Sequence, residues 1–120
     1  MPRFVILFHE TPPGYERGSH FDLMLEAGGV LRTWAIAAWP APGETQPAER
    51  LPDHRLAYLD YEGAVSGNRG HVRRWDAGEY YLLKESPTLI LAHFEGVRRQ
   101  GTLEFCRPDD RQQQWQLRLV

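Results

Sequence analysis

Two short alternating runs joined by consecutive glycines constrain the fold of this chain most strongly. Residues 19–26 alternate between a face of polar and flexible side chains and a face of apolar ones, which is typical of a half-buried β-strand. Gly28 and Gly29 then predict a tight hairpin turn, and residues 30–37 return as the partner strand. With these two glycines at the turn, the predicted facing pairs are Met24 with Thr33, Asp22 with Ala35 and His20 with Ala37.

The rest of the chain also divides into short runs separated by turns. Residues 3–8 predict a buried strand that delivers His9 to a rim, and residues 71–75 predict a strand closed by a turn at residues 76–78. Four prolines within residues 39–53 predict a long irregular excursion. Further strands are predicted over residues 79–83, 88–95, 102–107 and 114–120. Since no stretch of more than about ten residues has helical spacing, we predict an all-β fold, a small antiparallel β-barrel with long irregular loops and little or no helix.

Composition limits the class of protein. A length of 120 residues suits one domain, spanning residues 1–120. No apolar run approaches the roughly 18 residues of a membrane span, no signal peptide is visible, and the single cysteine, Cys106, allows no internal disulfide. We therefore expect a cytoplasmic monomer with no membrane association. The net charge of −2 argues against a non-specific nucleic-acid coat.

His20 and Asp22 form a potential metal pair. Two residues apart on a strand, they share a face and lie about 6.6 Å apart along it, and His9 adds a second imidazole at a strand end. Two imidazoles and one carboxylate suit a divalent transition metal with open positions, which can polarise a phosphoryl oxygen or bind a water nucleophile. The same spacing also describes an ordinary solvated strand face, so the local pattern leaves both interpretations open.

A second polar group follows at His54 and Tyr58. These residues are four apart and share a face in a strand or a helical turn. The histidine could contact an anion or move a proton, and the tyrosine could donate to a phosphate oxygen. The alternative is a rim histidine beside a half-buried tyrosine. His71 and His93 lie within strand runs and are expected to be packed or solvent-facing.

The order of these motifs resembles one family more than any single motif does. The series comprises His9, His20-Phe-Asp22-Leu-Met-Leu-Glu26, Gly29-Val30-Leu31, Thr33-Trp34-Ala35-Ile36, Asp53-His54 with Tyr58, Asp60-Tyr61-Glu62-Gly63 and Trp75-Asp76-Ala77-Gly78. It is similar to the 3′-phosphoesterase domain of bacterial DNA ligase D. The resemblance runs from about Phe4 to Gly78 and continues more faintly to Leu119.

The resemblance implies a small β-barrel with a manganese-type site, with Zn²⁺ or Co²⁺ as alternatives. By position, His9, His20 and Asp22 match the family's metal ligands, while His54 and Tyr58 match residues that contact the phosphate and support catalysis. Family members process 3′ ends of DNA during repair, removing a 3′-terminal ribonucleoside and then a 3′-phosphate. Repair ligases or polymerases are the implied protein partners.

The chain departs from the family at two cations. Met24 stands where the family strand carries an arginine, and Ala38 stands where the family has a lysine. A charge-assisted contact in a dry site is worth about 1.5–3 kcal/mol, so the two losses could remove much of the rate. Arg17, Arg32 or Arg73 could take their place. The loop between His9 and His20 is also longer than is usual in the family.

Four hypotheses follow from the sequence. The first is a metal-dependent phosphoesterase that acts on nucleic-acid 3′ ends, with reduced or lost activity. The second is a non-catalytic module that binds such ends. The third is a non-haem iron oxygenase-like site, because two histidines and a carboxylate also form that facial triad. The fourth is a purely structural barrel that holds no metal.

Overall fold

The computed structural model describes all 120 residues and contains nine strands. They are β1 Arg3–Glu10, β2 His20–Ala27, β3 Val30–Ile36, β4 Thr45–His54, β5 Gly63–Ala64, β6 His71–Ser86, β7 Leu89–Gly96, β8 Gln100–Cys106 and β9 Gln114–Leu119. The only helical segment is a single 3₁₀ turn, Leu56–Leu59. No helix is long and apolar enough to pass through a membrane.

Eight of the strands close into an antiparallel barrel. Their order is β1-β2-β3-β4-β9-β8-β7-β6, and β1 pairs with β6 to complete the ring. The two-residue β5 pairs only with the beginning of β6, outside the ring. Closure leaves no exposed sheet edge among these strands, and the prediction of an all-β barrel with almost no helix is confirmed.

The β2–β3 hairpin forms as the glycine pair predicts. Gly28 and Gly29 adopt φ values of 61° and 83°, the left-handed conformation that a two-residue type I′ turn requires at both positions. The resulting register pairs Asp22 with Ala35 and Met24 with Thr33, as expected. A small residue therefore lies across from the carboxylate.

The irregular excursion predicted for residues 39–53 is wrong over its second half. Thr45–His54 is strand β4, paired with β3 on one side and β9 on the other. Neither proline of this strand is paired with both neighbouring strands. Pro47 faces β9 and precedes the first β3 pair at Ala48, while Pro52 lies within the register shift of the β3 pairing and beyond the last β9 pair. Such positions tolerate a missing N–H, so proline content did not exclude a strand.

The turn predicted at residues 76–78 is also wrong, because β6 continues through it to Ser86. Asp76 is 3% exposed, and its carboxylate accepts backbone N–H bonds mostly from a neighbouring turn, at Val97, Arg98 and Arg99. The aspartate therefore caps the β7–β8 turn instead of making one of its own. The irregularity near these residues is a bulge opposite β1, between the residues that pair with Ile6 and Leu7.

The core has two parts, one on each side of the β1–β2–β3 sheet. Inside the barrel lies a cluster of 15 buried residues, which includes Trp34 and Trp115, with Trp39 and Trp75 half-buried against it. The second cluster lies on the outer face beneath the 3₁₀ turn, and its six members are Val5, Leu7, Met24, Leu31, Leu59 and Val72. Side chains on the outer face of β1 and β2 continue from this cluster to the rim of the barrel, where the candidate site lies.

Candidate functional site

The end of β1 and the beginning of β2 bring three potential ligands together. His9 pairs with His20 across the two strands, and Leu7 pairs with Asp22 two residues further from the rim. Since side chains alternate along a strand, all three residues project from the outer face. One ligand atom from each, two imidazole nitrogens and a carboxylate oxygen, lie within 4.8 Å of one another. The structure thus assembles the triad that the sequence suggested, from residues on two different strands.

Asp22 is the centre of this group. Its Oδ1 lies 3.0 Å from His20 Nε2, and its Oδ2 lies 3.6 Å from His9 Nδ1. The carboxylate is 3% exposed, whereas the two imidazoles line the side that faces solvent, with side-chain exposures of 13% and 10%. A ligand that enters from solvent therefore meets the histidines first and the carboxylate behind them.

Backbone carbonyls fix the orientation of both imidazoles. His9 Nε2 lies 2.7 Å from the carbonyl oxygen of Arg69, and His20 Nδ1 lies 2.8 Å from that of Gly18. A carbonyl only accepts, so each of these nitrogens carries the hydrogen and donates it. The remaining nitrogen of each neutral ring then presents a lone pair toward the Asp22 carboxylate. This arrangement, with the outer N–H held by a carbonyl, is typical of metal-ligating histidines.

Such a set of acceptors requires a cation, either protons or a metal ion. The Asp22 carboxylate beside it raises the pKa of His9 above its ordinary value, and this effect outweighs the opposing effect of burial. Burial alone would raise the pKa of Asp22, yet the neighbouring imidazoles of His20 and His9 lower that pKa overall. Two nitrogens and one carboxylate oxygen at these separations fit a divalent transition metal with positions left open for a ligand.

Gly70 holds the Arg69 carbonyl against His9. It adopts a φ of +89°, and a Cβ at this position would collide with the carbonyl oxygen of Glu10 at the end of β1. The β5–β6 connection can therefore approach the rim closely only with glycine here. No sequence pattern marks this contact, because a backbone carbonyl is present at every residue.

The side chain of Arg69 places a positive charge beside the triad. The sequence did not indicate this cation. Its charge lowers the pKa of His9, against the larger rise caused by Asp22. Its guanidinium is held by the Ser66 carbonyl and hydroxyl, at 2.6 and 3.0 Å, and it pairs with no carboxylate. Only the glycine-rich composition of residues 66–70 hinted at a structured loop.

His54 and Tyr58 contact each other but not the triad. Their ring centroids are 5.6 Å apart in an edge-to-face arrangement, and His54 Nδ1 lies 2.9 Å from the carbonyl oxygen of Pro52. His54 pairs with Leu31, and Leu31 pairs with Glu26, four residues along β2 from Asp22, or about 13 Å. The His54 backbone therefore lies toward the far end of the outer face, whereas Tyr58 packs against the cluster that contains Met24.

Tyr58 lines a cavity of about 250 Å³ together with Arg55, Ala57, Tyr61, Ala64 and Ser66. Its ring packs against the outer apolar cluster, and its hydroxyl forms no hydrogen bond within the chain. A tyrosine hydroxyl in this state is available to donate to an external acceptor.

The two positions where the family carries a cation differ in burial. Met24 is 1% exposed and is buried in the outer apolar cluster. Ala38 is exposed, and its N–H donates to the Gln46 side chain at 3.2 Å. A cation could be added at Ala38 without removing packing, but not at Met24.

Of the arginines considered as replacements, Arg17 is electrostatically linked to the site. Its guanidinium donates two hydrogen bonds to Glu49, at 3.1 and 2.8 Å. The bonding to Glu49 raises the pKa of Arg17 most, and the Asp22 charge adds a smaller rise. Arg32 instead pairs with Glu85, and Arg73 lies over the ring of Phe8. Since β2 residue Leu25 pairs with Arg32, that arginine lies on the barrel-interior face, away from the triad.

Comparison with known proteins agrees with the resemblance seen in the motifs. The sequence matches the family described as the DNA ligase D 3′-phosphoesterase domain over residues 14–118. That range includes four of the five candidate site residues, while His9 precedes it.

Relatives include the multifunctional non-homologous end joining DNA repair protein LigD of Mycobacterium tuberculosis H37Rv. It is 36% identical over 114 residues, which cover 87% of this chain and 14% of that protein. The multifunctional non-homologous end joining protein LigD of Pseudomonas aeruginosa PAO1 is 35% identical over 71 residues, covering 55% of this chain and 8% of that protein. The chain thus spans a small part of the length of these relatives. Because the family match covers most of its residues, the chain belongs to the DNA ligase D 3′-phosphoesterase domain family.

Proposed function

We propose that this protein is a metal-dependent phosphoesterase that acts on the 3′ ends of DNA, with activity reduced by the loss of two cations. The observation that carries the proposal is the convergence of His9, His20 and Asp22 on one face, with both outer imidazole N–H groups held by backbone carbonyls. The family to which the chain belongs supports the reaction class.

The proposed metal ligands are His9 Nδ1, His20 Nε2 and a carboxylate oxygen of Asp22. Manganese is the ion that we expect, with Zn²⁺ and Co²⁺ as alternatives, because imidazole and carboxylate are shared by sites for all three. The chemistry supplied by a divalent ion at these ligands is Lewis-acid polarisation of a phosphoryl oxygen. Asp22 holds both imidazoles in place and offsets the charge of the site.

His54 and Tyr58 are the proposed groups for phosphate contact and proton transfer. His54 Nδ1 donates to the Pro52 carbonyl, so Nε2 is left to accept a proton or, once protonated, to stabilise negative charge. The Tyr58 hydroxyl can donate to a phosphate oxygen. Register separates the His54 backbone from Asp22 by about 13 Å along the strand direction, while Tyr58 packs against the outer cluster that contains Met24. We therefore expect the pair to contact the terminal nucleotide of the substrate on the outer face.

Release of phosphate from a DNA primer with a 3′-phosphate, in buffer supplemented with Mn²⁺, tests the proposal. We expect conversion of the 3′-phosphate to a 3′-hydroxyl, and a slower removal of a 3′-terminal ribonucleoside from a matching primer. Asp22→Asn should abolish both reactions. Asp109→Asn is the matched control, since Asp109 lies in the β8–β9 connection and caps the backbone N–H of Arg111.

No phosphate release by a preparation shown to contain metal would reject the phosphoesterase function. Release that is equal in wild type and Asp22→Asn would point to a contaminating phosphatase and would reject the proposed site.

A second candidate function is a non-catalytic module that binds 3′-phosphorylated ends. It is favoured by the environment of Met24, because an apolar cluster fills the position of a family cation and leaves no charge there. This function predicts micromolar binding with strong salt dependence and no product. Equal affinity for 3′-hydroxyl and 3′-phosphate ends would count against it.

The family match supports a proposal about cellular context. We propose that the chain works as one domain and as a monomer in the cytoplasm. Repair ligases or polymerases that use the resulting 3′-hydroxyl end are its proposed partners.

A further inference from the structure

The open end of the barrel beside the triad carries a cluster of aromatic rings. Phe8 and Phe21 lie edge to face with centroids 5.1 Å apart, and Phe21 contacts Trp75 in the same way at 5.2 Å. All three rings are half-buried. Phe8 directly precedes His9 and Phe21 directly follows His20, so this cluster, which we call the mouth cluster, adjoins the metal ligands across the barrel rim.

Three exposed arginines lie on these rings. The guanidinium carbon of Arg73 is 5.2 Å from the centroid of Phe8, and those of Arg98 and Arg99 are each 5.3 Å from the centroid of Trp75. None of the three forms an ion pair with a carboxylate. A guanidinium that stacks by its face keeps its N–H donors at the edge, where they can bind phosphate.

The turn that carries Arg98 and Arg99 is held rigidly. The Asp76 carboxylate accepts the backbone N–H groups of Val97, Arg98 and Arg99 at 2.8–2.9 Å. Gly96 permits this approach, because a Cβ there would collide with Asp76. The Asp76 carboxylate is bound to these backbone N–H groups, so it does not neutralise the Arg98 and Arg99 guanidinium groups. Because their backbone is already fixed, these two arginines lose less conformational entropy when they bind a ligand.

The opposite end of the barrel provides a contrast. Arg32 and Arg50 also lie over an aromatic ring there, that of Trp34, and Arg107 lies over Trp115. However, Arg32 pairs with Glu85 at 2.9 Å and Arg50 pairs with Asp53 at 2.7 Å. Arg107 donates to the backbone carbonyls of Pro87 and Gln112, each at 2.8 Å. Arginine stacking is thus a structural feature of both ends, whereas a group of three unpaired arginines is a feature of the mouth cluster.

We infer that the mouth cluster binds the single strand that leads to the 3′ end, with Arg73, Arg98 and Arg99 on its phosphates and Phe21 and Trp75 against its bases. Basic groups combined with aromatic rings are the chemistry by which proteins bind single strands without sequence preference. This inference rests on the proposed function, since it assigns the path of the same substrate. It places the strand that precedes the reacting phosphate over the end of the barrel, and it leaves only the terminal nucleotide on the outer face.

The test is the binding of a single-stranded oligonucleotide of about 12 residues, labelled at its 5′ end, measured by fluorescence anisotropy between about 50 and 200 mM salt. The variant replaces Arg73, Arg98 and Arg99 with glutamine. The control replaces Lys84, Arg107 and Arg111 with glutamine, which changes the net charge equally on strands and loops away from the mouth cluster.

We expect the mouth variant to bind at least about tenfold more weakly and its salt slope to fall by about 2, since each lost phosphate contact on a single strand contributes about 0.7. The control should bind like wild type within about twofold. Equal losses in the two variants, or an unchanged salt slope in the mouth variant, would overturn the inference. An equal loss for blunt duplex DNA would overturn the assignment to a single strand.

Two further measurements distinguish strand binding by the three arginines from a purely structural role and from the phosphoesterase activity. If the arginines only cover the rings, the mouth variant loses thermal stability while its salt slope stays unchanged, which overturns the inference. Phosphate release from a nucleoside 3′-monophosphate, which has no strand before the reacting phosphate, should lose less rate in the mouth variant than release from a 3′-phosphorylated oligonucleotide does. An equal loss of rate on both substrates would overturn the inference. Absence of release in every variant would reject the proposed function, while the binding measurement would still decide the path of the strand.

Discussion

Asp22 and Met24 project from the same face of β2, yet Asp22 contacts two imidazoles whereas Met24 is sealed into an apolar cluster. Two neighbouring positions on one face of the strand therefore separate the proposed metal ligands from the place where the family carries an arginine. The three proposed ligands lie together, and apolar packing occupies the position of the arginine. Metal binding and phosphate turnover should consequently respond to different substitutions in this protein.

Metal affinity should depend on pH through His9. The Asp22 carboxylate beside it raises the pKa of His9, and the protonated ring cannot ligate, so protons compete with the metal. Affinity should be constant above the raised pKa and fall up to about tenfold per pH unit below it. Titration of Mn²⁺ between about pH 5 and pH 8 measures this. A pH-independent affinity would show that His9 is not a ligand.

Gly70→Ala should weaken metal binding although Gly70 is not a ligand. The added Cβ collides with the Glu10 carbonyl, which moves the Arg69 carbonyl away from His9. We expect Mn²⁺ affinity to fall about tenfold or more and stability to fall by about 1–3 kcal/mol. Gly67→Ala is the control, since it has a similar φ of +75° and only an ordinary contact nearby, and it should lose about 1 kcal/mol without a change in affinity. Equal affinities in the two variants would contradict the positioning role.

Met24→Arg should destabilise the protein instead of restoring activity. Met24 is 1% exposed among apolar side chains, and an unpaired guanidinium there should cost about 3 kcal/mol or more. Met24→Leu keeps volume and polarity, so its cost should stay below about 1.5 kcal/mol. Urea denaturation of both variants provides the comparison. A Met24→Arg protein as stable as wild type would show that the outer cluster opens to solvent.

Ala38→Lys should strengthen the interaction with 3′-phosphate. The position is exposed and its backbone is held by Gln46, so a lysine can be added without loss of packing. A charge-assisted contact of about 1.5–3 kcal/mol corresponds to about tenfold or more in affinity for a 3′-phosphorylated end, relative to a 3′-hydroxyl end. Ala41→Lys, an exposed position in the same connection, should have no such preference. If both lysines act alike, the effect is one of net charge alone.

Local patterns predicted the parts of the fold that local chemistry determines. Gly28 and Gly29 determined the hairpin and its register because both positions need a positive φ. Residues 39–53 and 76–78 were misread for the opposite reason. Pro52 is accommodated by a register shift with β3, and Asp76 is satisfied by the distant N–H groups of Val97 to Arg99. Both depend on partners that are remote in sequence.

The same limit applies to the candidate site: contacts set by local spacing were predictable, and contacts between distant residues were not. His20 and Asp22 lie two apart on a strand, so their proximity follows from strand geometry. His9 required the β1–β2 pairing, which the order of motifs indicated only through the family. The carbonyls of Gly18 and Arg69 carry no sequence signal, and the separation of His54 from Asp22 depends on the register of β4 against β3.

Manganese binding followed by electron paramagnetic resonance tests the metal centre most directly. In wild-type protein, titrated Mn²⁺ should lose its free-ion signal until one ion is bound per chain. Asp22→Asn should leave the full free-ion signal while its circular dichroism stays that of a folded barrel, since the amide cannot provide the charge that balances the ion. Equal uptake of Mn²⁺ by wild type and by a folded Asp22→Asn variant would contradict the site formed by His9, His20 and Asp22.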